Sequence, residues 1–139
     1  MPNSDKCLNK LTGSHKNSHE YPWNSHRFKG KRVVDIGCNE GLITLRVAAR
    51  FLSASMLGID IDNGLIKKAV RDLCIAREEL GAWATKGKCT PAVVNTWRGD
   101  HAEWMPSKGV EALRHVTLRH ENFVESEDCV PESQDVIMW

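Results

Sequence analysis

The segment Arg32-Val-Val-Asp-Ile-Gly-Cys-Asn-Glu-Gly41 constrains the fold more than any other part of the chain. A short β-branched run ends at an acid and a glycine, and an apolar helical pattern opens directly behind it. Such a run reads as a buried strand. Over residues 41–51, GLITLRVAARF, Leu42, Leu45, Val47, Ala48 and Phe51 cover one broad face, with Arg46 and Arg50 a turn apart and pointing outward. Ser53-Ala-Ser is a connection, and Met56-Leu-Gly-Ile-Asp-Ile-Asp62 is a second short strand ending in acids. Asn63 or Asp62 caps the next helix, expected to reach about Leu80, with Leu65, Ile66, Ala69, Leu73 and Ala76 inward and Gly81 as its stop. Strand, helix, strand, helix at this spacing is the pattern of a parallel, doubly wound α/β sheet. Val116 to Val124 reads as a third strand and its loop, and Asp135-Val-Ile-Met-Trp139 as the start of a fourth.

A chain of 139 residues normally forms one domain. Residues 1–30 are polar, without a period, and read as a flexible N-terminal arm; residues 31–139 carry the folded domain. His15, His19 and His26 share no helix face and are joined by no ligand constellation, so a solvated tail is expected rather than a metal site. Residues 82–114 hold Trp83, Trp97 and Trp104 with prolines and glycines and no sustained period, so they read as a variable insertion. Those tryptophans are either base-stacking platforms or local packing, and packing is the preferred reading.

Net charge is only +1, so any nucleic-acid partner would need a local basic patch. Lys29, Lys31 and Arg32 form such a cluster, equally explained as a solvated strand flank. No run of about 20 apolar residues is present to cross a bilayer. The first ten residues lack the apolar core of a secretory signal. Five scattered cysteines without a C-x-x-C pair suit reduced thiols in nucleus or cytoplasm.

The candidate site is the bend Asp35-Ile-Gly-Cys-Asn-Glu-Gly41. Gly37 permits a tight turn and close approach of a ligand to the backbone. Free N–H groups at the start of the following helix favour a carboxylate. Asp35, at the strand end, can orient the loop or meet a ligand ammonium, and Gly41 lets the helix pack closely. Asp60 ends the second strand 23 positions after Gly37, where nucleotide-binding α/β folds place an acid that accepts from ribose hydroxyls. Asp62 competes for that role but also serves as a helix cap, so Asp60 is preferred. The absence of G-x-G-x-x-G weakens a nicotinamide-dependent oxidoreductase reading, and no Walker loop or hydrolase elbow is present.

At these residues the chain resembles class I methyltransferases, and more narrowly the RNA methylphosphate capping enzymes of the bicoid-interacting type. Four segments carry the likeness: Phe28 to Gly41, with Cys38-Asn39 where most methyltransferases have glycine at the second position; Leu57 to Asp62, with Leu65-Ile66 behind it; Glu121-Asn-Phe-Val124; and Asp135-Val-Ile-Met138. The resemblance implies a Rossmann-like class I methyltransferase sheet using S-adenosyl-L-methionine, with a variable insertion before the third strand. It implies that Gly37, Cys38 and Asn39 line the methionine part, that Asp60 and Ile61 hold ribose and adenine, and that Asn122 and Phe123 border the adenine. The implied partner is the 5′-phosphate end of a small non-coding RNA. Tyr21 and Arg27 are all that stands for the family's tyrosine-rich stretch and arginine ahead of the first strand. The family's next segment, which lies near the reacting phosphate, is expected beyond Trp139, so the sheet is expected to be incomplete, with about four parallel strands. No catalytic residue is assigned. The expectation is an RNA methyltransferase, partial or inactive as this chain; the alternative is a non-catalytic remnant that binds cofactor or a protein partner.

Overall fold

The structure, a computed structural model, describes residues 25–125 and 134–139. Cys7, His15, His19, Tyr21 and Cys129 lie outside the described residues. The elements are α1 (Ser25–Phe28), β1 (Arg32–Ile36), α2 (Leu42–Phe51), β2 (Ser55–Asp60), α3 (Asn63–Lys86), α4 (Pro91–Trp97), α5 (Pro106–Arg114), β3 (Val116–His120), a 3-10 turn (Phe123–Glu125) and β4 (Val136–Met138). The four strands form one sheet in the order β3-β2-β1-β4. Every pairing is parallel, with Val33 opposite Met56 and Val136, and Met56 opposite Val116. This is the parallel α/β sheet that the alternation of strands and helices implies.

Alternation along the strands divides the apolar residues between two faces. Val33, Met56, Val116 and Met138 join Leu45, Phe51, Leu73, Leu80, Trp83 and Leu113 of the helices in the main core. Val34, Leu57 and Ile59, with Ile36 beside them, make a smaller cluster on the other face. Fully burying a side chain of this size contributes about 1.5–3 kcal/mol, so the main core carries most of the stability.

Asp62 caps α3, its Oδ1 accepting from the N–H of Gly64 at 2.8 Å and of Leu65 at 3.2 Å. The helix does not stop at Gly81. It runs to Lys86 and ends at Gly87, which takes φ +64° and donates to the Trp83 carbonyl. Two other expectations change within the helices. Leu42 is exposed rather than on the buried face of α2. Arg50 does not point outward: its guanidinium donates to the carbonyls of Arg98 and Asn95, at 2.9 and 3.0 Å, and ties α2 to α4.

The stretch read as an irregular insertion is mostly helical. Its tryptophans are core residues, buried and not available to stack on bases. Trp83 and Trp104 meet with ring centroids 5.4 Å apart. The indole N–H of Trp104 donates to the Ala49 carbonyl at 2.7 Å, and that of Trp97 to Glu79 at 2.8 Å. Gly99 is required beneath this packing, since a Cβ there would fall 2.3 Å from Trp104 and 2.5 Å from the Arg50 carbonyl oxygen. Ahead of β1, residues 25–28 of the expected arm make one helical turn, and Phe28 stacks on Phe51 in the core.

Candidate cofactor site at the carboxyl edge of the sheet

Parallel pairing brings the carboxyl ends of all strands to one edge, and the sequence-predicted residues gather there. The bend after β1 needs three left-handed residues, Gly37 (φ +72°), Asn39 (φ +53°) and Gly41 (φ +78°). Asparagine tolerates this region better than most residues with a side chain. That accounts physically for Asn39 standing where a glycine would otherwise serve.

Backbone bonds hold the bend against β2: the N–H groups of Gly37 and Cys38 donate to the Ile59 carbonyl at 2.8 and 3.0 Å. Asn39 N–H then donates to Asp60 Oδ2 at 2.9 Å. Asp60 Oδ1 accepts from Asp62 N–H at 2.8 Å, so one buried carboxylate organises the loops after both strands. Gly41 lets α2 begin against α3, since a Cβ there would lie 2.9 Å from the Ala69 Cβ. Lys68 reinforces the same junction through an ion pair with Glu40 at 2.8 Å. In front of Gly37 the space is open, with no atom within 4 Å of where a Cβ would sit.

Asp35, the second buried acid, accepts from the Thr44 hydroxyl at 2.6 Å. Burial pushes its carboxyl above the usual range, the Thr44 hydrogen bond draws it back, and the charge of Asp60 pushes it up again. Cys38 is buried over Gly58: a Cβ on Gly58 would meet Leu118 Cδ2 at 2.8 Å and Cys38 Sγ at 3.1 Å. Burial, then the charges of Asp35 and Asp60, push its thiol up to about 12. The thiol therefore stays protonated and acts as packing, not as a nucleophile.

On the β3 side, Glu121 N–H donates to the Asp60 carbonyl at 3.1 Å. Asn122 is exposed and its Oδ1 accepts from Val124 N–H at 3.1 Å. Phe123 is half-buried and meets the exposed Trp139 edge to face, with centroids 5.9 Å apart. Ile61 is exposed, and its carbonyl is held by His120 Nε2 at 2.9 Å. Thus Gly37, Cys38, Asn39, Gly41, Ile61, Asn122 and Phe123 lie beyond the strand ends of one edge, with Asp35 and Asp60 at the carboxyl ends of β1 and β2 themselves.

Three residues at this edge escape the sequence reading. Thr44 carried one faint signal, a hydroxyl in an otherwise apolar helical face. His120 and Trp139 gave none, because their roles depend on which strands are neighbours. The basic cluster Lys29, Lys31 and Arg32 lies at the amino edge instead, a β1 length of roughly 16 Å away. There Arg32 grips Asp135 through Nε and Nη2, both at 3.2 Å, and Lys29 pairs with Glu103 at 3.7 Å.

The residues present fit an adenosylated amino acid: an open glycine bend, two buried acids, the free N–H groups opening α2, and exposed apolar and amide side chains beside them. No protein-family model matches the chain. It is 48% identical over 124 residues to a probable RNA methyltransferase of Arabidopsis thaliana, a match covering 80% of this chain and 38% of that protein. It is 36% identical over 66 residues to the U6 snRNA methylphosphate capping enzyme Amus of Drosophila melanogaster, covering 48% and 21%. It is 41% identical over 46 residues to the 7SK snRNA methylphosphate capping enzyme of Homo sapiens, covering 33% and 7%. The chain therefore spans well under half the length of these relatives. With its all-parallel α/β sheet and these similarities, the chain is a homologue of RNA methyltransferases, methylphosphate capping enzymes among them.

Proposed function

We propose that the chain binds S-adenosyl-L-methionine at the carboxyl edge and serves methylation of a 5′-phosphate end of a small non-coding RNA, in nucleus or cytoplasm. The observation that carries this reading is the hydrogen bond from Asn39 N–H to Asp60, which joins the open bend at Gly37 to the acid after β2. Each oxygen of Asp60 accepts one backbone N–H and keeps a lone pair for a ribose hydroxyl. The N–H groups opening α2 suit the carboxylate of the methionine part, and Asp35 suits its ammonium. Ile61 and Phe123 offer apolar faces to the adenine, and the Asn122 amide offers donors to a base edge.

The cofactor, when bound, supplies an electrophilic methyl group on a sulfonium. A phosphate oxygen is already anionic, so the protein's part is to align the acceptor and keep it close rather than to remove a proton. Lys29, Lys31 and Arg32 are at the wrong edge to place that phosphate.

The test is calorimetry of the purified chain with S-adenosyl-L-methionine, followed by methyl transfer to RNA bearing a 5′-phosphate end. Binding with transfer supports the reading. Binding without transfer favours a non-catalytic chain that holds cofactor or a protein partner. A folded chain that does not bind the cofactor contradicts the proposal and leaves, of the alternative, only a chain that binds a protein partner.

A further inference from the structure

The two buried acids at the carboxyl edge are satisfied in different ways. Asp60 has both oxygens held by backbone N–H groups, one from Asn39 in the bend after β1 and one from Asp62 after β2, so the backbone alone fixes its carboxylate. Asp35 accepts one side-chain hydrogen bond, from Thr44 to Oδ2, and Oδ1 has no hydrogen-bond partner among the described residues. Thr44 is fully buried in the first turn of α2, where an unpartnered hydroxyl would be costly. Its distance of 2.6 Å to Asp35 is that of a strong, charge-assisted hydrogen bond. A threonine side chain is restricted about its first torsion, and the bond to Asp35 selects one of the two rotamers a helix allows it. A hydroxyl has one proton to give and can fix only one carboxylate oxygen, leaving the other to meet a cation.

We propose that Thr44 is a positioning residue of the cofactor site: its hydroxyl fixes the Asp35 carboxylate so that the free oxygen meets the ammonium at the amino-acid end of the cofactor. This rests on the cofactor reading above. Thr44 touches no ligand and acts through Asp35. The same helix that offers its first N–H groups to the ligand carboxylate thereby also sets the group that receives the ligand ammonium. Burial works against a charged Asp35, and the Thr44 hydrogen bond works for it.

Two ligands that differ only at the amino-acid end isolate the effect. S-adenosylhomocysteine carries both the ammonium and the carboxylate; 5′-methylthioadenosine keeps adenine, ribose and a neutral sulfur but lacks both. Thr44→Val, nearly isosteric, should weaken binding of S-adenosylhomocysteine by about tenfold, the worth of one charge-assisted hydrogen bond. It should leave 5′-methylthioadenosine within about twofold, and Thr44→Ser should restore the first ligand. Equal loss of both ligands, or no loss of either, overturns the proposal while leaving the cofactor reading in place. Wild-type chain that binds neither ligand overturns both. Should Thr44→Val fail to fold, Asp35→Asn takes its place, because Thr44 can still donate to the amide oxygen. That variant must show the same selective loss of S-adenosylhomocysteine, and an unselective loss or none overturns the proposal.

Discussion

Gly37 and Gly41 both take positive φ, yet they face opposite surroundings, and substitution separates their roles. Gly37→Ala meets no atom within 4 Å, so its cost is the left-handed backbone alone, about 1–2 kcal/mol. Because the added methyl enters the open bend, cofactor affinity should fall by more than stability does. Gly41→Ala adds a clash with Ala69 to the same backbone strain and should destabilise by about 2–4 kcal/mol. Urea denaturation beside calorimetry checks both; equal stability losses would contradict the packing described. Asp135 gives a pH prediction at the opposite edge. Hydrogen bonds from Arg32 hold its carboxyl down at about 2. Its folded value lies below its unfolded value, so its contribution is present above the unfolded value near 3.8 and is lost as pH falls through about 2. The pair is solvent-exposed, so a carboxyl carbon NMR titration should find the midpoint rising toward the ordinary value in high salt.

At the scale of elements, α3 shows where local signals mislead. Gly81 looks like a helix stop because glycine after an apolar periodic run usually is one. The residues beyond it overrule that signal: Trp83 packs on Trp104, and Gly87 provides the left-handed termination. Gly81 has nothing within 4 Å of its missing Cβ and no positive φ, so Gly81→Ala should stabilise the protein by about 0.5–1 kcal/mol in thermal or urea unfolding. A loss of stability would show that close packing at Gly81 had been missed. The strands were readable because a fully buried parallel strand is a continuous apolar run, as in Val33-Val34 and Met56-Leu57. Helices α4 and α5 were not, because each is short and gains its stability from burying Val94, Trp97 and Leu113 in a shared core. Of the candidate site, the residues local to one bend, Gly37 to Gly41, were legible together with Asp60. The partnerships of Thr44 with Asp35, His120 with Ile61, and Phe123 with Trp139 were not, since each joins two elements that only the fold brings together.

For the molecule as a whole, the strand order β3-β2-β1-β4 makes the site. It sets β1 beside β2, so that the bend after one strand reaches the acid after the other, and sets β3 on the far side of β2, so that Asn122 and Phe123 close the same edge. The amino edge serves a different purpose, with Arg32 and Asp135 fixing β4 to β1. The most direct test of this division is an amide NMR titration of the chain with S-adenosyl-L-methionine. Saturable shifts should concentrate at residues 37–41, 60–62 and 121–123, with the amides of Arg32 and residues 92–97 unmoved. Shifts centred on the amino edge, or none from a folded chain at millimolar cofactor, would contradict the account.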